Sequence, residues 1–396
     1  MNQSQDAARS RWLVICVFVL SSTINYLDRQ TLAVVWPAIR DEFHLSYSDY
    51  GWIIAAFYVP YALAAPFAGL LIDRSGLNRV ISGAVGVWSC ASIATGFTTG
   101  IGALAGARAV LGMSEASGVP SVGKALHLYL LPADRALGNA MSQAALSVGM
   151  IVAPPLATWI TLRSNWRMAF VVPGLLGLIW IPIWAVVARR SPSKAEGAHL
   201  DALPDVLRDR RLWIFAAANA VGMFGYSLWT QFTTTYLVDV HHLSLAEQAW
   251  LAWIPPVFGA LGGLAGGWLS ARLIHRGTAA IAARFRICLG AAMVSLATPV
   301  ILLAPGPVWA CAGISLSIAA VAAFSVNMYT LPLDAFGAAR AAFAVSMLVA
   351  SYGVVQIFWP FLGRVINQYA YPPVILLAAV TPLIACGILW STRAVR

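Results

Sequence analysis

Residues 12–39 read WLVICVFVLSSTINYLDRQTLAVVWPAI, an apolar run that contains two adjacent charges, Asp28 and Arg29. A run of this length can cross a bilayer as one helix, since about 20 residues suffice at a rise of about 1.5 Å per residue. Each charge near the bilayer centre costs about 2.5–3.5 kcal/mol even on the mildest insertion scale. The run therefore predicts a spanning helix whose charged pair serves a function.

Similar apolar runs recur along the whole chain. Hydrophobic residues make up 60% of the 396 residues and charged residues only 10%, and the mean hydropathy is +0.76. A soluble domain of this size would have to expose much of that apolar surface to water. We therefore predict an all-α membrane protein with twelve transmembrane helices. The predicted spans are about 12–38, 48–72, 79–98, 101–124, 136–162, 167–188, 211–238, 246–272, 280–304, 306–331, 338–366 and 371–392.

The positive charges follow the predicted topology. A net charge of +10 could indicate a nucleic-acid partner or a basic patch for anionic ligands, but most of the 25 lysines and arginines lie at the termini and in alternate loops. The opposite loops contain only Arg40, Arg163, Arg167 and Arg364. This positive-inside pattern predicts that both termini are cytoplasmic, and we expect no nucleic-acid partner. The cysteines and histidines show no metal-ligand spacing, so no metal or cofactor is expected.

A polar segment divides the predicted helices six and six. Residues 189–210 contain prolines and a glycine that disfavour one continuous helix. We predict that they form a cytoplasmic linker between an N-terminal six-helix bundle, 1–188, and a C-terminal six-helix bundle, 211–396.

The two halves are related at an offset near 200 residues. The matched pieces are GLLIDR at 69–74 with GWLSAR at 267–272, LPAD at 131–134 with LPLD at 331–334, and Tyr26 with Tyr226. Each pair falls at the same place in a six-helix plan, which indicates two pseudo-symmetric bundles. Parallel repeats of this kind are typical of transporters that bind substrate near the bilayer midplane.

Four motifs resemble one transporter family. GLLIDRSGLNR at 69–79 resembles the loop motif between helices 2 and 3 of the major facilitator superfamily. NYLDRQTLAVVWP at 25–37, RAVLGMSEA at 108–116 and NWRMAF at 165–170 resemble its anion:cation symporter branch. That branch includes bacterial hexuronate, galactonate and glucarate transporters and animal vesicular glutamate and sialic acid transporters.

The resemblance covers the full chain and has consequences for fold and function. It implies the major facilitator fold and a transporter rather than an enzyme. It also implies an inner-gate motif at Gly69, Asp73, Arg74, Gly76 and Arg79. The sequence also departs from the family pattern. In the second-half loop, Ala271 stands in place of the acid, and two other departures concern the choice of substrate. Ala65 stands where sugar-acid members often have glutamine, and an asparagine common in helix 11 is absent near Val349 or Gly353.

Helical spacing predicts that the intramembrane charges form one cavity. Arg108, Gly112 and Glu115 share a face of the fourth helix, while Asp28 and Arg29 lie on a polar side of the first helix. A salt-bridge lock between the two helices is the alternative, although buried ion pairs are weak evidence for stability.

The chemistry of the four charges predicts their roles. Arginine stays protonated and binds a carboxylate through two bonds, so Arg29 and Arg108 are predicted anion ligands. A carboxylate in a low-dielectric site can change its protonation, so Asp28 and Glu115 are predicted proton carriers. The family resemblance implies the same assignment.

Uncharged polar and aromatic residues are further candidates for substrate contacts. Interhelical packing or an interfacial aromatic belt is the alternative for each aromatic residue. The candidates are Tyr26, Tyr61, Gln143, Tyr226, Trp229, Ser325, Asn327, Tyr329 and Gln356.

Together these features predict a proton-coupled symporter that imports an organic carboxylate across a bacterial inner membrane. The resemblance favours a sugar acid such as a hexuronate or an aldonate, and an aromatic or small aliphatic carboxylate stays open. A non-transporting receptor and an intramembrane enzyme are the rivals from other classes. We expect a monomer whose partners are the organic anion, protons and the lipid bilayer.

Overall fold

The computed structural model describes residues 2–130, 135–189, 207–336 and 338–391. Within these ranges the chain is helical and contains no β-strand, which confirms the predicted all-α class. Most of the predicted linker, residues 190–206, lies outside the described ranges, as does the LPAD segment at 131–134.

Seven helices make up the described part of the N-terminal half. They are α1 (Asn2–Phe43), α2 (Tyr47–Ser75), α3 (Leu77–Thr95), α4 (Ile101–Glu115), α5 (Gly118–Tyr129), α6 (Arg135–Arg163) and α7 (Met168–Ala188).

The C-terminal half contains nine α-helices in its described part, with 3-10 turns at Thr298–Leu303 and Gln356–Phe358. The helices are α8 (Arg210–Gly222), α9 (Phe224–His241), α10 (Leu245–Ala252), α11 (Ile254–His275), α12 (Ala280–Ser295), α13 (Pro307–Phe336), α14 (Ala338–Val355), α15 (Trp359–Tyr369) and α16 (Pro372–Trp390).

Several predicted spans are interrupted rather than continuous. The run at 246–272 breaks at Trp253, because Pro255 and Pro256 lack the amide hydrogen of a helix interior and instead start α11. Pro360 starts α15 in the same way, after the 3-10 turn at Gln356–Phe358. Other breaks fall between α4 and α5 and between α8 and α9.

The membrane character of the chain is also evident in the helices themselves. In the part of the chain that is described, nine helical segments are long and apolar enough to cross a membrane. They include the segment Arg11–Phe43 that carries the charged pair. The helices α2, α3 and α4–α5 occupy the remaining predicted spans at 48–72, 79–98 and 101–124.

The chain forms two compact units. The first consists of residues 1–39 and 56–198, and the second of residues 40–55 and 199–396. The connection between α1 and α2 therefore belongs to the second unit.

Close helix crossings bring the polar faces of the first unit together. A Cβ atom on Gly112 of α4 would clash with the backbone carbonyl of Phe57 on α2, so only glycine allows this crossing. Gly149 of α6 lies against the backbone of α1 at Thr23 and Leu27 in the same manner. As a result, α1, α2 and α4 converge around the predicted charges.

The second unit is built on an apolar core. Phe215, Phe324 and Leu348 are fully buried in this core, which joins α8, α12, α13, α14 and α16. Gly262 and Gly266 of α11 pack directly on the backbone of α13. These contacts fix the helices of the second unit without a buried charge.

Asp239, near the end of α9, is a polar junction of the second unit. Its carboxylate binds Arg40 Nη1 at 2.7 Å and accepts a hydrogen bond from the Tyr47 hydroxyl. The Tyr371 hydroxyl donates to the same carboxylate at 3.3 Å. The connection between α1 and α2 is therefore tied to α9 and to the residue before α16.

Candidate functional site

The centre of the candidate site is an ion pair between Arg29 and Glu115. Arg29 Nη2 lies 2.7 Å and Arg29 Nε lies 3.1 Å from the same oxygen, Glu115 Oε2. Glu115 Oε1 is buried without a hydrogen-bond partner in the described part of the chain. The Glu115 side chain is 0% exposed and that of Arg29 is 11% exposed, so the arginine is the accessible member of the pair.

Aromatic rings surround the Arg29 guanidinium. Its central carbon lies 5.0 Å from the ring centroids of Tyr26, Phe57 and Tyr61. Cation–π attraction at such distances stabilises a guanidinium by about 0.5–2 kcal/mol, and more strongly when the site is dry. The rings hold the cation in place while leaving its N–H groups directed at an anion.

Asp28 is buried beside this pair and contacts α3. Its Oδ1 lies 2.5 Å from the Ser92 hydroxyl, which also lies 2.9 Å from the backbone carbonyl oxygen of Phe170 on α7. Asp28 Oδ2 is buried and has no hydrogen-bond partner among the described residues.

Arg108 completes the charged group. Its side chain is fully buried, and its guanidinium carbon lies 4.8 Å from the centroid of the Phe170 ring. Arg108 interacts electrostatically with both Asp28 and Glu115. The structure thus brings together the four charged residues that the sequence singled out, and their formal charges sum to zero.

The Arg29 guanidinium can bind a carboxylate other than that of Glu115. An entering carboxylate could take the two N–H groups of Arg29 that now bind Glu115, because the fork fits any carboxylate. Glu115 would then be left buried without its cation, a state that favours proton uptake. An entering carboxylate and Glu115 would therefore compete for the same two N–H groups of Arg29.

Three further candidates of the first unit were predicted from the sequence: Tyr26, Tyr61 and Gln143. Tyr26 and Tyr61 lie in the charged cluster, as two of the rings around Arg29. Gln143 lies on α6 with its side chain exposed. The structure thus places the two tyrosines against the accessible cation.

The polar candidates of the second unit form hydrogen bonds within their own unit. Trp229 Nε1 donates to Ser317 Oγ at 3.0 Å. Gln356 Oε1 accepts hydrogen bonds from Ser227 Oγ and from Trp359 Nε1, both at 2.8 Å. These contacts connect α9 to α13 and to the break between α14 and α15.

The remaining second-unit candidates lie on α9 and α13. Asn327 Nδ2 donates to the Gly266 carbonyl oxygen at 3.2 Å and so fastens α13 to α11. Tyr226, Ser325 and Tyr329 are half-buried. The substrate role of every second-unit candidate stays a prediction.

The predicted inner-gate motif lies at the end of α2 and the start of α3. Gly76 adopts a φ of 84° and separates the two helices, a conformation that favours glycine. Arg74 and Arg79 are exposed and Gly69 is half-buried. The side chain of Asp73 lies outside what the structure describes.

In the equivalent loop of the second unit, where Ala271 replaces the acid, polar contacts come from neighbouring positions. Arg284 Nη1 donates to Ser270 Oγ at 2.6 Å, and Arg284 Nε lies 3.3 Å from Asp334 Oδ2. Asp334 belongs to the repeated LPLD segment. The second unit therefore has an ion pair, Arg284–Asp334, near the loop in which Ala271 replaces the acid.

Three residues of the site were missed by reasoning from the sequence. They are Phe57, Ser92 and Phe170. The crossing at Gly112 brings Phe57 to the cluster, and the contact of Phe170 with Ser92 uses a backbone atom. Only Ser92 carried a usable signal, as one of the polar residues of an otherwise apolar helix. In the described residues, no group of three His, Cys, Asp or Glu side chains could hold a metal ion.

Comparisons with known proteins agree with the fold and with the motifs. A hexuronate transporter of Escherichia coli K12 is 25% identical over 404 aligned positions, which cover 96% of this chain and 93% of the relative. A probable sulfoacetate transporter of Cupriavidus necator is 27% identical over 378 positions, covering 89% of this chain and 86% of the relative. A D-galactonate transporter of Escherichia coli O6:H1 is 26% identical and covers 68% of this chain and 69% of its own length.

A solved structure shares the fold. A bacterial homologue of the human lysosomal transporter Spinster, in an inward-facing and occupied conformation, superposes with a TM-score of 0.77 at 19% identity. The similarity covers 96% of each chain.

Membrane helices that bury two arginines with two carboxylates are typical of a secondary transporter. The sequence of residues 18–322 matches the Major Facilitator Superfamily, and the chain belongs to this family of multi-pass membrane transporters. The family consists of transporters, so the protein is not an enzyme.

Proposed function

We propose that this transporter is a proton-coupled symporter that imports an organic carboxylate, with a sugar acid such as a hexuronate or an aldonate as its substrate. The observation that carries the proposal is the Arg29–Glu115 pair, in which two guanidinium N–H groups are held on one carboxylate oxygen. A substrate carboxylate has the same shape as the carboxylate of Glu115 and can replace it on the guanidinium.

The accessible partner of this pair favours an anionic substrate. Arg29 retains some exposure, whereas Glu115 is fully enclosed. A cationic substrate would meet the guanidinium first and be repelled. The names of the hexuronate and D-galactonate transporters support a sugar acid in particular.

Charge balance supports proton coupling. The four buried charges sum to zero, and one bound carboxylate would add an uncompensated negative charge to a dry site. An uncompensated buried charge is strongly unfavourable. Protonation of Glu115 as it leaves Arg29 restores neutrality, so each monocarboxylate should enter with at least one proton.

Asp28 supplies a second protonation site in this proposal. It is buried next to Arg29 along the chain and interacts electrostatically with Arg108. A second proton would make the loaded site positive, and transport would then respond to membrane potential as well as to pH. In a bacterium, the proton gradient across the inner membrane is directed inward, so protons that flow down it would drive import of the substrate.

The experiment that tests the proposal is uptake into proteoliposomes that contain the purified protein. We expect labelled D-glucuronate or D-galactonate to accumulate when the outside is acidic, and a protonophore to abolish the accumulation. The methyl ester of the same sugar acid serves as the matched control, because it lacks only the anion. Binding without uptake would indicate a receptor, and equal binding of the ester would exclude Arg29 as the anion ligand.

A second candidate substrate class is a small aliphatic or an aromatic carboxylate. The observation that favours it is the ring set of Tyr26, Phe57 and Tyr61, which surrounds Arg29 with aromatic faces that an aromatic or compact substrate can pack against. The similarity to a probable sulfoacetate transporter supports the small class. Competition of sulfoacetate and phenylacetate with labelled sugar acid would distinguish the two candidates.

A further inference from the structure

The hydroxyl group of Ser92 lies between two oxygen atoms that belong to different helices. One is Asp28 Oδ1 on α1, at 2.5 Å, and the other is the Phe170 carbonyl oxygen on α7, at 2.9 Å. Ser92 and Asp28 are both buried. The contacts therefore form a chain from α1 through α3 to α7 in a site closed to water.

A serine hydroxyl carries a single hydrogen, so it cannot donate to both oxygen atoms at once. The Phe170 carbonyl can only accept, and an ionised Asp28 can also only accept. When Asp28 is ionised, Ser92 must donate to one of the two and leave the other. When Asp28 is protonated, its O–H can donate to Ser92 while Ser92 donates to Phe170, and both contacts are satisfied.

We propose that Ser92 is a positioning residue for proton coupling, which redirects its hydrogen bond from Asp28 to the Phe170 carbonyl when Asp28 takes up a proton. The inference rests on the proposed function, since it assigns a structural response to one of the two proton carriers. Ser92 touches neither substrate nor any other reacting group in this account.

The redirected bond reaches a residue that also contacts the anion site. The Phe170 ring lies under the guanidinium of Arg108, while its carbonyl is the second acceptor for Ser92. Protonation of Asp28 thus adds a hydrogen bond between α3 and the first turn of α7, at the residue that supports Arg108. The state of the proton site is transmitted to the anion site through one residue.

The charged groups that act on Asp28 are few. Arg29 acts from α1 and Arg108 from α4, and Glu115 on α4 interacts with Asp28 as well. From α3 and α7 the described contacts are the Ser92 hydroxyl and the Phe170 carbonyl. Removing the Ser92 hydroxyl leaves the charged groups in place, so its effect on the proton site can be isolated.

The size of the effect on the pH profile follows from hydrogen-bond strength. A bond donated to an ionised carboxylate is roughly twice as strong as a neutral one. Ser92→Ala removes one such bond from the state with ionised Asp28, and two neutral bonds, with Asp28 and with the Phe170 carbonyl, from the state with protonated Asp28. Because the two losses nearly cancel, we expect the midpoint of the pH profile of gradient-driven uptake to stay within about 0.5 pH unit of the wild type, while the hydrogen bonds of the carboxyl group change.

The matched control is Ser89→Ala. Ser89 lies one turn earlier on the same helix, is buried, and has no hydrogen-bond partner among the described residues. The same hydroxyl is lost from α3 without touching Asp28. We expect its pH profile to coincide with that of the wild type.

A second readout does not require transport. The infrared band of the protonated Asp28 carboxyl is isolated as the difference between the wild type and Asp28→Asn, and is followed through a pH titration. In Ser92→Ala this band should shift in frequency, because the protonated carboxyl loses the acceptor of its O–H group, while in Ser89→Ala the frequency should stay that of the wild type.

The outcomes separate this inference from the proposed function. If wild-type uptake is indifferent to a proton gradient, the proposed symport fails. If the wild type is proton-coupled but Ser92→Ala keeps the wild-type infrared band, the inference about Ser92 is overturned. Equal shifts in Ser92→Ala and Ser89→Ala would also overturn it, because they would reflect packing of α3 alone.

Discussion

Arg29→Lys tests whether substrate binding depends on the shape of a guanidinium or only on its charge. The substitution keeps a positive charge near the Tyr26, Phe57 and Tyr61 rings, which also attract an ammonium group. It removes the planar fork that can hold both oxygens of a carboxylate. The difference between the two proteins is therefore one directed hydrogen bond on the substrate.

The contacts with Glu115 set the magnitude. Arg29 directs two N–H groups at that carboxylate, at 2.7 and 3.1 Å, and we expect the same two groups to bind the substrate. Loss of one hydrogen bond to a charged group costs about 1.5–3 kcal/mol. At about 1.4 kcal/mol per factor of ten, the affinity for substrate should fall roughly 10- to 150-fold.

Equilibrium binding of the best sugar acid to the purified protein measures this loss directly. The matched control is Arg163→Lys, because the Arg163 guanidinium also lies over one aromatic ring, that of Trp159 at 5.6 Å, but outside the charged cluster. We expect the control to bind like the wild type. Wild-type affinity in a well-folded Arg29→Lys protein would refute the two-bond assignment and leave only general electrostatic attraction.

Three further substitutions test neighbouring parts of the structure. Glu115→Gln introduces a side chain that resembles protonated glutamate but cannot release a proton. Exchange of labelled for unlabelled substrate should therefore survive, while uptake driven by a pH gradient is lost. Loss of both activities would make Glu115 a ligand or a structural lock. Gly112→Ala places a methyl group against the Phe57 backbone and should destabilise the protein by about 1–3 kcal/mol. Thermal unfolding measures this loss, and Gly102→Ala is the control, because a methyl group there enters open space. Asp239→Asn should lower the apparent melting temperature by several degrees, because it weakens the junction with Arg40, and an unchanged transition would show that the junction contributes nothing.

The helical architecture could be predicted from the sequence because long apolar runs leave a chain in lipid no alternative to helices. What the runs could not indicate was where a helix is interrupted. The break at Trp253 depends on two prolines that start α11, and the break after α14 depends on a 3-10 turn where Gln356 contacts Ser227 and Trp359. Hydropathy does not register either feature, because it scores the polarity of each residue and not the backbone geometry that a proline or a 3-10 turn imposes.

The candidate site was predictable to the extent that it is made of charges. Arg29 and Glu115 could be singled out because ionisable residues are rare inside membrane helices, and helical spacing placed them on facing sides of α1 and α4. Phe57 and Phe170 could not be singled out, since a phenylalanine near a cation has the same sequence signature as a phenylalanine in the core. Their contribution became visible only through the ring distances and the backbone contact with Ser92.

The two halves of the duplicated chain differ in chemistry more than in framework. Trp229 occupies the place in the second half that Arg29 occupies in the first, and its indole N–H donates to the neutral Ser317. Gln356, Ser227 and Trp359 form another uncharged network in that unit. Because each buried charge is costly, a duplicated bundle should retain charges only where they act. The first unit carries the acids and arginines that the sequence places at midplane depth, so in the proposed function its helices both capture the anion and respond to the proton. On that proposal, the pairing of Arg29 with Glu115 joins the two tasks, because the same guanidinium that binds the substrate also holds the carboxylate that takes up the proton.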